Sequence, residues 1–315
     1  MRATETAAWL NGLAPDTRAA LHALQRVDRR RSAIILFFFG LWIVPWAVVA
    51  HWPSWPVRLP AYLLMGAALH GLGILTHEAV HGNLFRERRR DRWAAFLLGA
   101  PVLVSGAAYR VSHLRHHRHN RGPEDPDEFA NHFKGFRAQA IAFYVWAAIG
   151  MLIFLGHVPL TALGRGTPRE RREVVLEYAA ILGLAAAVLL WAREAGRLDL
   201  LLHGWLAPMG VAWIIVNVRG WSEHMLTSSD HPLHATRTIT SNRVVSLLMC
   251  NLNYHLEHHL LPAVPWYNLP RVHALLQEEF CAAGAPVCRS YVRFIWEAAR
   301  RGFHGRVPAP ERGEA

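Results

Sequence analysis

Lysine is almost missing from this 315-residue chain. Lys134 is the only one, so arginine supplies nearly all of the 34 basic residues and, against 23 acidic ones, a formal charge of +11. The arginines flank apolar runs and form no single stripe. That pattern argues against a nucleic-acid partner and fits arginine held on the cytoplasmic side of membrane helices. Cysteine is equally scarce. Cys250, Cys281 and Cys288 are odd in number and make no CxxC pair, so neither a disulfide framework nor a thiolate metal site is expected. The chain carries no glycine fingerprint for a dinucleotide and no recognisable fused haem domain. It has no low-complexity linker and reads as one domain. About thirty polar, arginine-bearing residues precede the first apolar run, so no signal peptide is expected.

Apolar residues are abundant: 52% of the chain is hydrophobic, with 13 tryptophans, which predicts several spanning helices. The run 32–50 follows Arg29, Arg30 and Arg31, which places its start in the cytoplasm. A turn with Trp52 and Trp55 lies outside, and the run 59–77 returns to deliver His77 at its inner end. The basic segment 86–92 marks that side as cytoplasmic. Of three later apolar segments, 174–192 and 200–218 are the expected spanning pair, because four arginines precede the first while the loop 193–199 is charge-balanced. Segment 138–163, interrupted by His157 and Pro159, is expected to be interfacial or re-entrant, as is 93–106. The expected fold is all-α and integral to the membrane, with four transmembrane helices and a cytoplasmic helical cap carrying the histidine motifs. Residues 1–31 form a cytoplasmic N-terminal segment, 32–273 the membrane domain and 274–315 a helical tail. Leading into that tail, Asn268 is the expected N-cap of a helix with Pro270 in its first turn. Gly284 and Pro286 end that helix, and 291–301 forms another.

Histidine decides the chemistry. It occurs as HEAVH (His77, His81), HLRHH (His113, His116, His117) and HLEHH (His255, His258, His259). With 20 histidines in 315 residues, each position is histidine with probability about 0.063. A chance HxxHH is then expected about 0.08 times per chain, and two copies roughly 0.003 of the time. In a helix, positions i, i+3 and i+4 share one face, so each HxxHH aims three imidazoles one way. Eight converging imidazoles exceed the four ligands of one zinc and fit two first-row metals, although imidazole alone does not choose among iron, copper, nickel and zinc. His224, at the cytoplasmic end of the last span, is a ninth candidate. His119 lies off the shared face, and His231 and His234 sit in a polar loop. His22, His70, His157, His203, His273 and His304 are expected to pack or face solvent. The acids near the motifs are Glu78, Asp125, Asp127, Glu223 and Glu257. They are candidates to orient ligand rings by accepting the second ring N–H. HEAVH also satisfies the HExxH zinc-peptidase pattern, but that reading leaves both HxxHH motifs unexplained. A metal transporter would place its ligands within the spans.

The set HxxxH, HxxHH and HxxHH resembles that of the membrane fatty acid desaturase and hydroxylase superfamily. The stretch 253–273, NYHLEHHLLPAVPWYNLPRVH, together with HEAVHG and the Asp125-Pro126-Asp127 turn, is especially similar to the acyl-lipid desaturases. The resemblance covers about residues 59–273. It implies a non-haem di-iron centre held by His77, His81, His113, His116, His117, His255, His258 and His259, with His224 matching an additional histidine. It also implies O2 as co-substrate, an external electron donor, and a fatty acyl or other lipid substrate undergoing cis desaturation. Hydroxylation or ketolation of a carotenoid, alkane or other lipid is the alternative, because both outcomes share the first hydrogen abstraction. One departure stands at Gly220, where some acyl-CoA desaturases carry an asparagine. The arginine- and alanine-rich composition points to a bacterial inner membrane with the site facing the cytoplasm.

Electrons must come from elsewhere, and a basic cytoplasmic face would attract an acidic donor such as a ferredoxin or cytochrome-type protein electrostatically. Turnover with such a donor is expected to fall as ionic strength rises. A flat salt dependence in a steady-state assay would contradict electrostatic docking.

Overall fold

The computed structural model describes residues 3–228 and 231–302. Among them the fold is helical, and the one sheet is a two-stranded parallel pair, Thr238–Ile239 with Val287–Cys288. The chain divides into two compact units. One comprises residues 28–111 and 151–216, and the other the described parts of 1–27, 112–150 and 217–315. His304 and the end of the expected tail lie outside the described residues.

In the first unit a 3-10 turn, Arg29–Ala33, opens on Asp28, whose carboxylate accepts from Arg30 N at 3.0 Å. It leads into the apolar helix Ile34–His51, which is joined by a short turn to Trp55–His81. Ser32 Oγ donates to Leu84 O at 2.7 Å, and Arg29 Nε donates to Phe85 O at 2.8 Å. The two helices therefore form an antiparallel hairpin that sets His77 and His81 at the same end as the Arg29–Arg31 cluster. Trp55–His81 is the central helix of this unit, buried almost continuously from Met65 to Val80. Close packing explains how. A Cβ added at Gly71 would stand 2.1 Å from the ring of the fully buried Phe38, and one at Gly204 would stand 2.0 Å from the Trp46 indole. Small residues of this kind let membrane helices approach where lipid offers no hydrophobic drive. Gly204 also lies in a π-helical turn, Leu202–Leu206, and its carbonyl accepts from Trp42 Nε1 at 2.8 Å.

Among the described residues five helices are long and apolar enough to cross a membrane: Arg29–His51, Trp55–His81, Phe136–Arg165, Pro168–Glu194 and Leu198–His224. Four of them contain the expected spans and outrun them, because local signals such as the Thr167–Glu170 capping box extend the helices into polar sequence. The fifth, Phe136–Arg165, covers the segment expected to be interfacial. Pro159 lies inside it, and it breaks at Ile149 (φ −131°, ψ 22°). The helices Arg88–Val102 and Gly106–His119 meet at a 102° bend, the geometry of a broken span or a re-entrant loop.

The second unit is built largely from short helices. Its tail differs in detail from the expectation. Asn268 does occupy the N-cap position of Leu269–Leu275, but its side chain caps nothing; Nδ2 donates to Leu24 O at 2.8 Å and so ties the N-terminal segment to this unit. Gly284, at φ 64°, ends the following helix Gln277–Ala283, and Tyr291–Arg301 forms as expected.

Replacing Gly71 with alanine is expected to destabilise the fold by about 1–3 kcal/mol through overpacking against Phe38. The measurement is the thermal transition of the detergent-purified protein. An unchanged transition would mean that the hairpin packs more loosely than described.

Candidate metal centre

Seven of the nine candidate histidines belong to the second unit: His113, His116, His117, His224, His255, His258 and His259. Gly106–His119 presents the first HxxHH motif and His255–Leu260 the second, while His224 ends Ala207–His224. Their Nε2 atoms meet in two groups. In one, His117 Nε2 lies 3.0 Å from His113 Nε2 and 3.1 Å from His258 Nε2. In the other, His255 Nε2 lies 2.9 Å from His224 Nε2 and 3.1 Å from His259 Nε2, and His116, His224 and His259 bring ligand atoms within 4.8 Å of one another. Two nitrogens at right angles about a metal, each at about 2.1 Å, stand about 3 Å apart. Both groups have that spacing. The donor set, nitrogens of buried and half-buried imidazoles, therefore fits first-row metal ions, and two groups fit two ions.

The remaining pair, His77 and His81, belongs to the first unit. Both project from the last turns of Trp55–His81, with ring centroids 4.7 Å apart. His77 Nδ1 lies 3.2 Å from Glu78 Oε1, so Nε2 is the nitrogen with which this ring could hold a metal.

The carboxylates behave differently from one another. Asp125 Oδ1 accepts from His116 Nδ1 at 2.9 Å and from Asp127 N at 3.0 Å, while Oδ2 accepts from Arg121 N at 2.8 Å. Burial opposes ionisation of Asp125, but the His116 ring and the two amides outweigh it and pull its pKa down to about 2. The Asp125 carboxylate in turn holds a proton on His116 Nδ1 by accepting from it. This anchor holds His116 with Nε2 toward the cluster. His259 shows the opposite balance: burial, then the neighbouring imidazoles, hold it well below the ordinary histidine value and so in the neutral form that could hold a metal. Glu223 pairs with Arg219 at 3.0 Å, and its other oxygen stands 3.6 Å from His255 Nδ1. Glu257, fully buried inside its motif, accepts from Thr238 Oγ1 at 2.6 Å and is paired with His273 Nδ1. His273 therefore adds this polar contact to the packing of its ring against Tyr254 and Phe280. His119 faces Glu124 at 3.6 Å, and His234 contacts the Ala283 carbonyl at 2.8 Å.

Three supporting residues belong to no motif. Arg237 is buried beneath the end of Ala207–His224, where its guanidinium donates to the carbonyls of Ser222 (2.6 Å), Met225 (3.0 Å) and Leu226 (3.0 Å). Burial lowers its pKa to about 10, which leaves it charged at neutral pH. A cation at a helix C-terminus satisfies orphan carbonyls and opposes the dipole, so Arg237 fixes the turn that carries Glu223 and His224. Asn253 is fully buried ahead of the second HxxHH motif, and its Nδ2 donates to Ile239 O at 2.7 Å. Thr238 binds Glu257 from the adjoining strand. Asn253 opens the stretch 253–273 that carries the resemblance, whereas Arg237 and Thr238 had no signal beyond their nearness to the histidines in an apolar chain.

The chain belongs to the fatty acid desaturase family, whose pattern matches residues 53–291. Its relatives within that superfamily differ in activity. A human sphingolipid delta(4)-desaturase/C4-monooxygenase is 26% identical over 284 residues, covering 88% of this chain and 83% of that protein. A beta-carotene ketolase of a Paracoccus species is 28% identical over 266 residues, covering 79% of this chain and 95% of the ketolase. A dihydrorhizobitoxine desaturase of Bradyrhizobium elkanii is 26% identical over 252 residues, covering 72% of this chain and 69% of that desaturase.

Because Asp125 sets the orientation of the His116 ring, Asp125→Ala is expected to weaken metal retention about 10–100-fold. His119→Ala should leave it unchanged. Competition with a chelator, read by metal analysis, checks both; equal effects would remove the distinction between the two residues.

Proposed function

We propose that this protein is an O2-dependent lipid desaturase with a histidine-held pair of irons. It would introduce a cis double bond into a fatty acyl chain. The observation that carries the reading is the pair of imidazole clusters within one unit, His113/His117/His258 and His116/His224/His259, each with ligand atoms close enough for one ion. His255 joins the second cluster through its Nε2 contacts. His77 and His81 join the set through their HxxxH motif, which lies within the family match. When bound, a pair of irons supplies O2 reduction and abstraction of hydrogen from an unactivated C–H bond. Overall, O2, two electrons and two protons are consumed as two vicinal hydrogens leave the chain, giving one double bond and two waters.

The residues of the chain prepare that chemistry. Asp125 fixes the His116 ring, Arg237 fixes the helix end below His224, and burial keeps His259 neutral. Such orientation by neighbouring groups raises ligand basicity and holds geometry between turnovers. The spans present the substrate: an acyl chain can reach a site at a helix-bundle end without leaving the bilayer. Positive-inside bias supports a site on the cytoplasmic face of a bacterial inner membrane. A ferredoxin or cytochrome-type donor would reduce it from that side.

A second reading keeps the centre and changes the outcome to hydroxylation or ketolation of a carotenoid or other lipid. The ketolase relative, matched over 95% of its length, supports it. The human relative, both desaturase and C4-monooxygenase, is consistent with one scaffold serving both outcomes.

Expression in a host of simple lipid composition, followed by mass spectrometry of total lipids, tests the proposal. New double bonds in acyl chains are expected, and His258→Ala should abolish them. Oxygenated products without new double bonds would favour the second reading, and unchanged lipids in the presence of a competent donor, in that host and in one that also makes beta-carotene, would contradict both.

A further inference from the structure

The helix Tyr291–Arg301, YVRFIWEAARR, has three faces where two would suffice to dock it. Ser290 caps it by accepting from Arg293 N at 3.1 Å. Tyr291, Phe294 and Ala298 form the core-facing side, packed with Ile239 and Trp221; Phe294 is 4% exposed and Ala298 2%. Val292, Ile295, Trp296 and Ala299 follow the i, i+3, i+4, i+7 spacing of a second apolar face. This face is open: Val292 is 77% exposed, Trp296 63% and Ile295 38%. The third face carries Arg293, Glu297, Arg300 and Arg301. At about 100° per residue, the apolar arc is about twice as wide as the core uses.

Charge borders the open stripe. Arg300 stands 6.0 Å from the Trp296 ring centroid, and Arg293 pairs with Glu297 at 2.9 Å. With exposed Arg289 just before the helix, four arginines face one acid between residues 289 and 301. We propose that this helix lies on an anionic lipid surface, with Val292, Ile295 and Trp296 entering the boundary between headgroups and acyl chains and the arginines at headgroup level. An amphipathic helix with a basic polar face and a tryptophan on its apolar face is built for that boundary. A bilayer is also at hand, because the described residues of the same chain include five helices long and apolar enough to cross one. A soluble acidic partner would use the arginines but leave the valine, isoleucine and tryptophan facing water.

The test uses the full chain in lipid nanodiscs. Val292→Cys, in a Cys281→Ser, Cys288→Ala background, carries an environment-sensitive fluorophore, and quenching is read with a nitroxide at a shallow acyl position and with aqueous iodide. In phosphatidylglycerol discs the lipid nitroxide should quench strongly and iodide weakly, with less lipid quenching in phosphatidylcholine. Arg300→Glu and Arg301→Glu should each lower the docked-to-free ratio by at least roughly fivefold, with an unchanged thermal transition showing that the variants fold. Dominant iodide quenching in both lipids would overturn the proposal. So would self-quenching that appears only when two copies share a disc, since that marks the stripe as an interface between copies.

Discussion

Several imidazole lone pairs crowded together inside a protein are best matched by a cation among them. Two neutral rings can share one N–H···N hydrogen bond, but a cluster of Nε2 atoms about 3 Å apart has more lone pairs than protons to place between them. In this chain such spacings recur among His113, His117 and His258, and again among His224, His255 and His259. Much of the surrounding structure can be understood as what brings seven rings of one unit into these groups. Asp125 turns His116, Arg237 closes the helix below His224, and Asn253 pins the approach to the second HxxHH motif.

Burial sets the terms for these supports. A polar group withdrawn from water must find a partner, so the carboxylates and the arginine beside the histidines sit in multiple contacts. The contrast between His116 and His259 shows the result. Similar burial yields a ring held by a carboxylate in one case and a neutral ring among imidazoles in the other. In the first unit the constraint is steric. Gly71 and Gly204 allow the Phe38 and Trp46 rings to press against helix backbone, and the Arg29–Ser32 contacts with residues 84 and 85 bring both ends of the hairpin to one side.

Much of this was legible in the amino-acid sequence, for identifiable reasons. HxxHH and HxxxH encode a shared helical face directly, and apolar runs between arginines encode spans. The Asp125-Pro126-Asp127 turn was legible as a candidate support because acids near ligating histidines are commonly used so. Less was readable where the partner is distant along the chain. Glu257 meets His273 and Thr238, residues 16 and 19 positions away, and Arg237 reaches back to carbonyls at 222, 225 and 226. Asn268 has the local pattern of an N-cap, but a carbonyl 244 residues away in sequence takes its amide. Segment 138–163 carried contradictory signals, apolar length against His157 and Pro159. In the structure one long helix covers it, with His157 and Pro159 inside its helical turns and a break earlier, at Ile149.

The family and the helical membrane architecture form the frame within which desaturation by a pair of irons is proposed. The most direct test of that reading is the metal itself: element analysis of the purified full chain, with X-ray absorption at the metal edge. The account predicts about two irons per chain in a nitrogen-dominated environment with imidazole scattering. A single zinc with four ligands, or iron bound mainly by oxygen, would contradict it.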